Sequence, residues 1–300
     1  NVGDVYNKGM ELTIGGIPVQ TKDFTWETSL NIYGNRGTVK NLPKGTETLY
    51  ITDVQFGGAQ AASFNDGPFM GISGYKWKYN EDGKVILDSD GMPTYDKDTR
   101  VLCGNREPKF QGGWNNTLTY KNFTFNMAWE FRVGGDIYNA TDYYMVSNGM
   151  SDLTANRDQL VLSGVVKEGD NYVDKTFTFN ANEMYSLKGA KVSGKEVIQR
   201  YYTDYYHRDA NNFITKVNSL RLRTIALTYT LPKSVLAKTK VIKAASINAT
   251  ANNLLLFTNY RGDPESSAAG SGITGSGATG IDYCSVPSTA SFTFGVNLTF

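Results

Sequence analysis

Histidine is almost missing from these 300 residues: His207 is the only one, and it sits among Tyr201, Tyr202, Tyr205 and Tyr206 with no HExxH-like partner. It reads as a surface residue rather than a catalyst or metal ligand. Cysteine is nearly as scarce. Cys103 and Cys284 are far apart and form no C-x-x-C pair, so thiolate zinc sites and redox motifs are unsupported. One disulfide between them is open, and two free thiols are the preferred reading. With one His and two isolated Cys, a Ser/His/Asp set or a Cys/His pair has no foothold. No enzyme, cofactor or metal is expected. An excess of one charge is also missing: 30 Lys and Arg face 29 Asp and Glu, for a net +1. That balance gives no reason to propose a nucleic-acid or polybasic membrane-surface partner. No apolar run approaches the ~18 residues of a transmembrane helix. Mean hydropathy is −0.37, a value a transmembrane β-barrel shares, because its strands alternate apolar and polar residues. No basic-then-apolar leader follows Asn1, so the chain is expected to begin inside a mature or longer protein.

What is abundant is glycine (31) and aromatic residues (13%), a β composition. Period-2 alternation is clean in three places. Phe292, Phe294, Val296, Leu298 and Phe300 alternate with small or polar residues. Phe123, Phe125, Met127, Trp129, Phe131 and Val133 oppose Thr124, Asn126, Ala128, Glu130 and Arg132. Phe24, Trp26, Leu30 and Ile32 oppose Thr25, Glu27, Ser29 and Asn31. Weaker alternation around 10–14, 114–120, 225–231 and 245–251 brings the expectation to about seven strands, compared with the ~9–11 residues a tilted membrane strand needs.

The connections alternate short and long. Short ones follow Gly16, comprise Lys121-Asn122, and open at Pro232; long ones run from Asn35 to Glu107, Gly134 to Phe213 and Thr258 to Pro287. Antiparallel outer-membrane barrels sort their loops this way, with short periplasmic turns and long outer loops, whereas a soluble sandwich need not. Glu11, Glu27, Glu130 and Arg132 fall on the polar face, where a lumen would be. Arg221 and Arg223 share parity with Ile225 and Leu227. Arg221 stands ~25 Å along the membrane normal from Leu231 at ~3.3 Å rise and ~40° tilt, which places it at the outer rim. Arg223 fits less well and suggests a bulge. Parity sends the last strand toward the periplasm to end on the aromatic Phe300, as in bacterial outer-membrane barrels.

Several separated segments resemble one family. "NVGDVYNKGMELTIGG" (Asn1–Gly16), "GNREPKFQGGWNNTLTYKNFTF" (Gly104–Phe125), "SLRLRTIALTYTLPKSVL" (Ser219–Leu236), "NATANNLLLFTNYRGDPES" (Asn248–Ser266) and "PSTASFTFGVNLTF" (Pro287–Phe300) resemble, in order, the C-terminal barrel of SusC/RagA-type TonB-linked outer-membrane transporters. The resemblance implies an all-β fold: about seven C-terminal antiparallel strands of a ~22-stranded transmembrane barrel with long extracellular loops. Residues 1–300 would be that C-terminal part, with the plug domain and N-terminal strands supplied elsewhere. It further implies import of glycans or peptides, energy from the TonB complex acting through the absent N-terminal part, and a SusD-like surface lipoprotein over the outer mouth of a multi-pass outer-membrane protein.

Aromatic residues concentrate in the loops. Tyr75, Trp77 and Tyr79 lie in the first long loop; Tyr138, Tyr143 and Tyr144 follow the fourth strand; Tyr201, Tyr202, Tyr205 and Tyr206 precede the fifth. Flat amphipathic rings suit sugar faces, peptide backbone and protein interfaces, so some of this set is expected to touch substrate or the lipoprotein lid, with loop packing as the competing role. Asp88, Asp90, Asp96 and Asp98 lack EF-hand spacing and read as a solvated acidic loop. Arg261-Gly262-Asp263 reads as part of a structural loop motif. The glycine-rich run Gly270–Gly280 lacks the Lys-Ser/Thr of a phosphate loop. The sequons at Asn115, Asn122, Asn139, Asn248 and Asn297 read as strand chemistry. Two other functions fit parts of the pattern: a passive porin or cell-surface binding barrel, and a secreted carbohydrate-binding β-sandwich.

Overall fold

The computed structural model describes residues 3–50, 55–237, 241–268 and 279–300. Seven long strands pair antiparallel in chain order into one curved wall: β1 (Asp4–Gln20), β2 (Phe24–Lys40), β3 (Phe110–Tyr120), β4 (Phe123–Asn139), β5 (Ile214–Thr230), β6 (Ala244–Thr258) and β7 (Ser291–Thr299). Register settles which side chains share a face. Val19, Trp26, Leu118, Phe125, Leu227, Ala249 and Phe294 form one continuous row across all seven strands. One residue along, Gln20, Thr25, Thr119, Thr124, Thr228, Asn248 and Gly295 form the next row, on the opposite face. The period of the pleat thus makes one side of the wall apolar and the other polar.

The apolar side is uncovered: Phe294 is 81% exposed, with Phe292, Val296, Ile247, Phe257 and Ile14 also open. A soluble monomer rarely leaves so long an apolar surface bare. Two indole N–H groups on this side are paired laterally. The Trp26 indole donates to Asn116 Oδ1 at 3.0 Å and the Trp114 indole to Thr28 Oγ1 at 2.9 Å. The opposite side carries polar ladders, with Asn31 donating to Glu11 at 3.1 Å and Thr117 to Asn126 at 2.9 Å.

The structure corrects the placement of Arg221. A register shift lies between Leu222 and Thr224, which makes Arg223 an extra residue relative to β4. Above this bulge the parity of β5 flips, so Leu222 and Leu220 take the apolar side beside Trp129 and Phe131, while Arg221 lies opposite Glu130 on the polar side. Both arginines therefore leave the apolar face. A second bulge falls at Gly134-Gly135, where φ is +75° and +81°. Side chains rarely adopt that conformation, and here it turns β4 from the wall into the loops above.

The first short connection is tighter than the sequence reading has it, because β1 continues through Gly16 to Gln20 and only three residues remain before β2; Lys121-Asn122 joins β3 to β4 as expected. The three long connections, 41–109, 140–213 and 259–290, gather at the other end of the wall. They fold into a cap holding a small sheet (Thr48–Tyr50, Gln60–Phe64, Gly71–Gly74, Val101–Asn105), a sheet built on the Gln159–Glu168 and Asn171–Asn180 hairpin, and helices α1 (Ala140–Ser147) and α2 (Gly194–Arg200). The glycine-rich run lies outside the described residues except for Thr279 and Gly280.

Candidate functional site

The cap is held by two apolar cores. The first draws Phe56 and Ile72 from the first long connection, Val146 and Phe213 from the second and Ile281 from the third, around the fully buried ring of Tyr138. The Tyr138 hydroxyl donates to the Gly57 carbonyl. The second core sets Met92 against Leu162, Phe179, Val197, Tyr201 and Tyr205. Tyr202 and Tyr206 pack against both. Asp209, 1% exposed, fastens the two together: it accepts from the Trp77 backbone N–H at 3.4 Å, the Tyr79 hydroxyl at 2.6 Å and Asn211 N–H at 2.9 Å. A buried carboxylate needs such partners. Burial first, and then the bond to Asp209, raise the Tyr79 phenol.

The structure brings the aromatic set together and divides it by exposure. Tyr138, Tyr201 and Tyr205 are buried; Tyr75, Trp77, Tyr143, Tyr202 and Tyr206 are half-buried; Tyr79 and Tyr144 are exposed. Edge-on ring contacts link Tyr206 to Trp77, Tyr201 and Phe213, and Tyr143 to Tyr144 and Phe213. Arg100 lies over the Tyr75 ring at 5.1 Å. Tyr202 also borders an open cleft of about 690 Å³ with Asn148, Arg157, Lys195 and Gln199. His207 is half-buried rather than a surface residue. Its ring meets Tyr143 at 5.3 Å, and burial, then Arg208, lower its pKa. Cys103 and Cys284 are both free thiols, and burial pushes the Cys103 thiol up to about 11. The acidic loop is turn chemistry: Asp88 accepts from the N–H groups of Asp90 and Met92, and Asp96 from that of Asp98.

Beneath the cap, on the polar side of the wall, sequence reasoning missed two groupings. The first is a chain of five charges. Arg221 and Asp263, each with a side chain only 4% exposed, form a buried pair. Glu265 reaches Arg221 Nε at 3.2 Å and Arg223 Nη2 at 2.5 Å, and Arg223 Nε meets Glu130 at 2.5 Å. Burial alone would push the Asp263 carboxyl up; the N–H groups of Glu265 and Ser288, with the Arg221 guanidinium, outweigh it and hold the group below its ordinary value. The signal was present as Arg-x-Arg and Asp-x-Glu, but only the bulge aims the arginines inward. The second is an open cleft of about 430 Å³ bordered by Tyr33, Asn35, Arg106, Glu107, Gln111 and Arg132. A smaller hollow of about 190 Å³ adjoins it through Gln111 and Arg132 and runs to Glu265.

No family model matches the chain. Among curated proteins it is 28% identical over 323 residues to TonB-dependent receptor P3 of Formosa agariphila, the alignment covering 100% of this chain and 29% of that protein. It is 25% identical over 313 residues to TonB-dependent receptor SusC of Bacteroides thetaiotaomicron, covering 100% of this chain and 27% of SusC. A solved structure of the RagAB peptide transporter superposes with a TM-score of 0.63 at 21% identity, over 100% of this chain and 30% of the matched chain. The RagAB peptide importer in its open-open state gives 0.63 at 19% identity, with 100% and 29% covered. The chain spans under a third of the length of these relatives.

Proposed function

Because the chain is homologous to TonB-dependent receptors of the SusC and RagA type, we propose that residues 1–300 form the C-terminal wall and outer loops of an outer-membrane active transporter. One observation carries this reading: an unbroken apolar row across seven strands backs onto an equally unbroken polar row, with all long loops at one end. Hydrocarbon solvates the first, and a water-filled conduit the second. Among the described residues, β1 and β7 each have one edge with no strand paired to it, and unpaired N–H and C=O groups cost several kcal/mol apiece in lipid. Strands from the rest of a ~22-stranded barrel would pair with them, and a plug domain would occupy the lumen. The TonB complex would supply energy through that N-terminal part, and a SusD-like lipoprotein would close over the cap.

The cargo class is glycans or peptides. Tyr79, Tyr144 and Tyr202 present the ring surface through which the cap would meet cargo or the lipoprotein, while Tyr138, Tyr201 and Tyr205 build the cap itself. Tyr75, Trp77, Tyr143 and Tyr206 support that surface from below.

The test uses the complete gene in a deletion strain, following uptake of labelled peptide and glycan pools. Expected is TonB-dependent uptake of one class. Replacing Tyr79, Tyr144 and Tyr202 together by Ala is expected to lower uptake or lipoprotein association about tenfold or more, the scale at which interface aromatics act, with normal amounts of barrel in the membrane. Conductance without TonB would instead indicate a passive porin. Release from membranes without detergent would sink the barrel reading.

A further inference from the structure

The polar face of the wall holds one guanidinium, Arg132, that its surroundings position without an ion pair among the described residues, although the Asp136 and Glu265 carboxylates lie near enough to act on it electrostatically. Arg132 Nε donates to the Gly134 carbonyl at 3.1 Å, and Nη2 approaches the Arg106 carbonyl at 3.5 Å. Both acceptors are backbone oxygens and carry no net charge. Nη1 has no hydrogen-bond partner among the described residues, and no carboxylate there lies within ion-pair distance of Arg132.

The acids nearby make their hydrogen bonds and ion pairs with other groups. Both Glu107 carboxylate oxygens accept from Gly37 N–H at 3.0 Å. Asp136 accepts from Asn105 N–H at 2.8 Å. Glu130 and Glu265 belong to the arginine pairs of β5. Arg106 lies buried alongside, beside Glu107.

The position is built. A Cβ on Gly135 would fall 2.6 Å from Arg132 Nη2, so the glycine bulge makes room for the guanidinium as well as turning the chain. Arg132 lies directly across from Gln111 in the register, and both border the two adjoining hollows. Nine residues above Phe123, it stands ~23 Å from the short-turn end at ~3.3 Å rise and ~40° tilt. That is immediately under the cap, where cargo leaving the outer mouth first meets the wall.

We propose that this cleft is a cargo subsite for a carboxylate, with Arg132 as its charged anchor and the Gln111 and Asn35 amides and the Tyr33 ring beside it. The proposal rests on the transporter reading and narrows its cargo to acidic chains. The guanidinium fork fits a carboxylate in two parallel hydrogen bonds, and such charge-assisted bonds are about twice as strong as neutral ones. A peptide carboxylate and a uronic acid offer the same group, so the test carries an arm for each.

The complete transporter, purified with its surface lipoprotein, is titrated with two matched pairs: a Glu-rich octapeptide against its Gln counterpart, and an oligogalacturonate against its methyl ester. For the wild type the acidic member of one pair is expected to bind about tenfold tighter, a change typical of one charge-assisted contact. The pair that discriminates identifies the source. Arg132→Gln is expected to bring that ratio to within about twofold while neutral binding persists. Should this variant fold poorly, Gln111→Glu sets a carboxylate across from Arg132 and is expected to abolish the same preference. No acid preference in the wild type, or a preference that survives both variants, would overturn the proposal. The same variants are scored for uptake in cells: TonB-dependent uptake without acid preference overturns the subsite alone, and absence of TonB-dependent uptake overturns the transporter reading with it.

Discussion

Met127→Arg is expected to destabilise the folded barrel by ~2–4 kcal/mol, the cost of a cation on the lipid face near the bilayer midplane. Met127 belongs to the apolar side, paired with Ile225 on β5 and Asn116 on β3. It lies four residues above Phe123, ~10 Å up an apolar band ~25 Å tall. The neighbouring change, Asn126→Arg, puts the same charge on the polar side, opposite Thr117 and Ala226. There it is expected to cost under ~1 kcal/mol, because water reaches it. Denaturant unfolding of the complete barrel in lipid vesicles, read by heat-modifiable gel migration, separates the two. Equal losses for both would mean that the two faces do not meet different solvents.

The second large effect is expected at the buried ion pair. Asp263→Ala leaves Arg221, 4% exposed, without its main partner, and removing one member of a buried pair typically costs ~3–5 kcal/mol. Glu265 remains 3.2 Å from Arg221 Nε, so the lower end of that range is expected. The loss should be local. Hydrogen exchange should rise across 259–268 and at Ser288, because Asp263 also accepts from the N–H groups of Glu265 and Ser288, and the lower strands should stay protected. Arg221→Met with Asp263→Leu removes both charges and is expected to restore most of the protection.

The pH dependence follows from the depressed Asp263 carboxyl. A group held below its unfolded pKa contributes stability that is present above that value and is lost as pH falls through the folded one. Protection is therefore expected to be unchanged from pH 7 to 5, and lost only below the ordinary aspartate pKa of about 3.9. Loss between pH 7 and 5 would assign the contact to another group.

The legible part of the fold is the part with one apolar and one polar side. Phe123 through Phe131 alternates because the pleat sends successive side chains to those two sides, and β4 begins at Phe123 after the Lys121-Asn122 turn, as the pattern indicates. Strand length was not legible. β2 continues through Tyr33 to Lys40 and β4 through Gly134 to Asn139, above the band, where cap and water cover both faces and alternation has no cause. Arg221 was misplaced because its parity was carried through the bulge that the sequence suggested at Arg223; the pairing with β4 shows that this bulge flips the strand above it.

For the candidate site, local sequence supplied the aromatic residues but not their division of labour. Tyr201 and Tyr205 turn inward and Tyr202 remains half-exposed on one short helical stretch. That choice depends on Met92 and Trp77, more than a hundred residues earlier in the chain. Arg132 was assigned to the polar face correctly. That it makes no ion pair among the described residues became visible only once Glu107, Asp136 and Glu265 were seen hydrogen-bonded or paired elsewhere.

The central claim is that one face of this wall meets acyl chains and the other meets water. Spin labels placed singly at 125, 126, 127, 128, 129 and 130 of the complete transporter in lipid bilayers, with Cys103 and Cys284 replaced by Ser, test it most directly. Collisions with oxygen, which concentrates in lipid, should peak at 125, 127 and 129. Collisions with a water-soluble nickel chelate should peak at 126, 128 and 130. Uniform nickel access, or protection of 125, 127 and 129 from both reagents as in a dry protein core, would contradict the account.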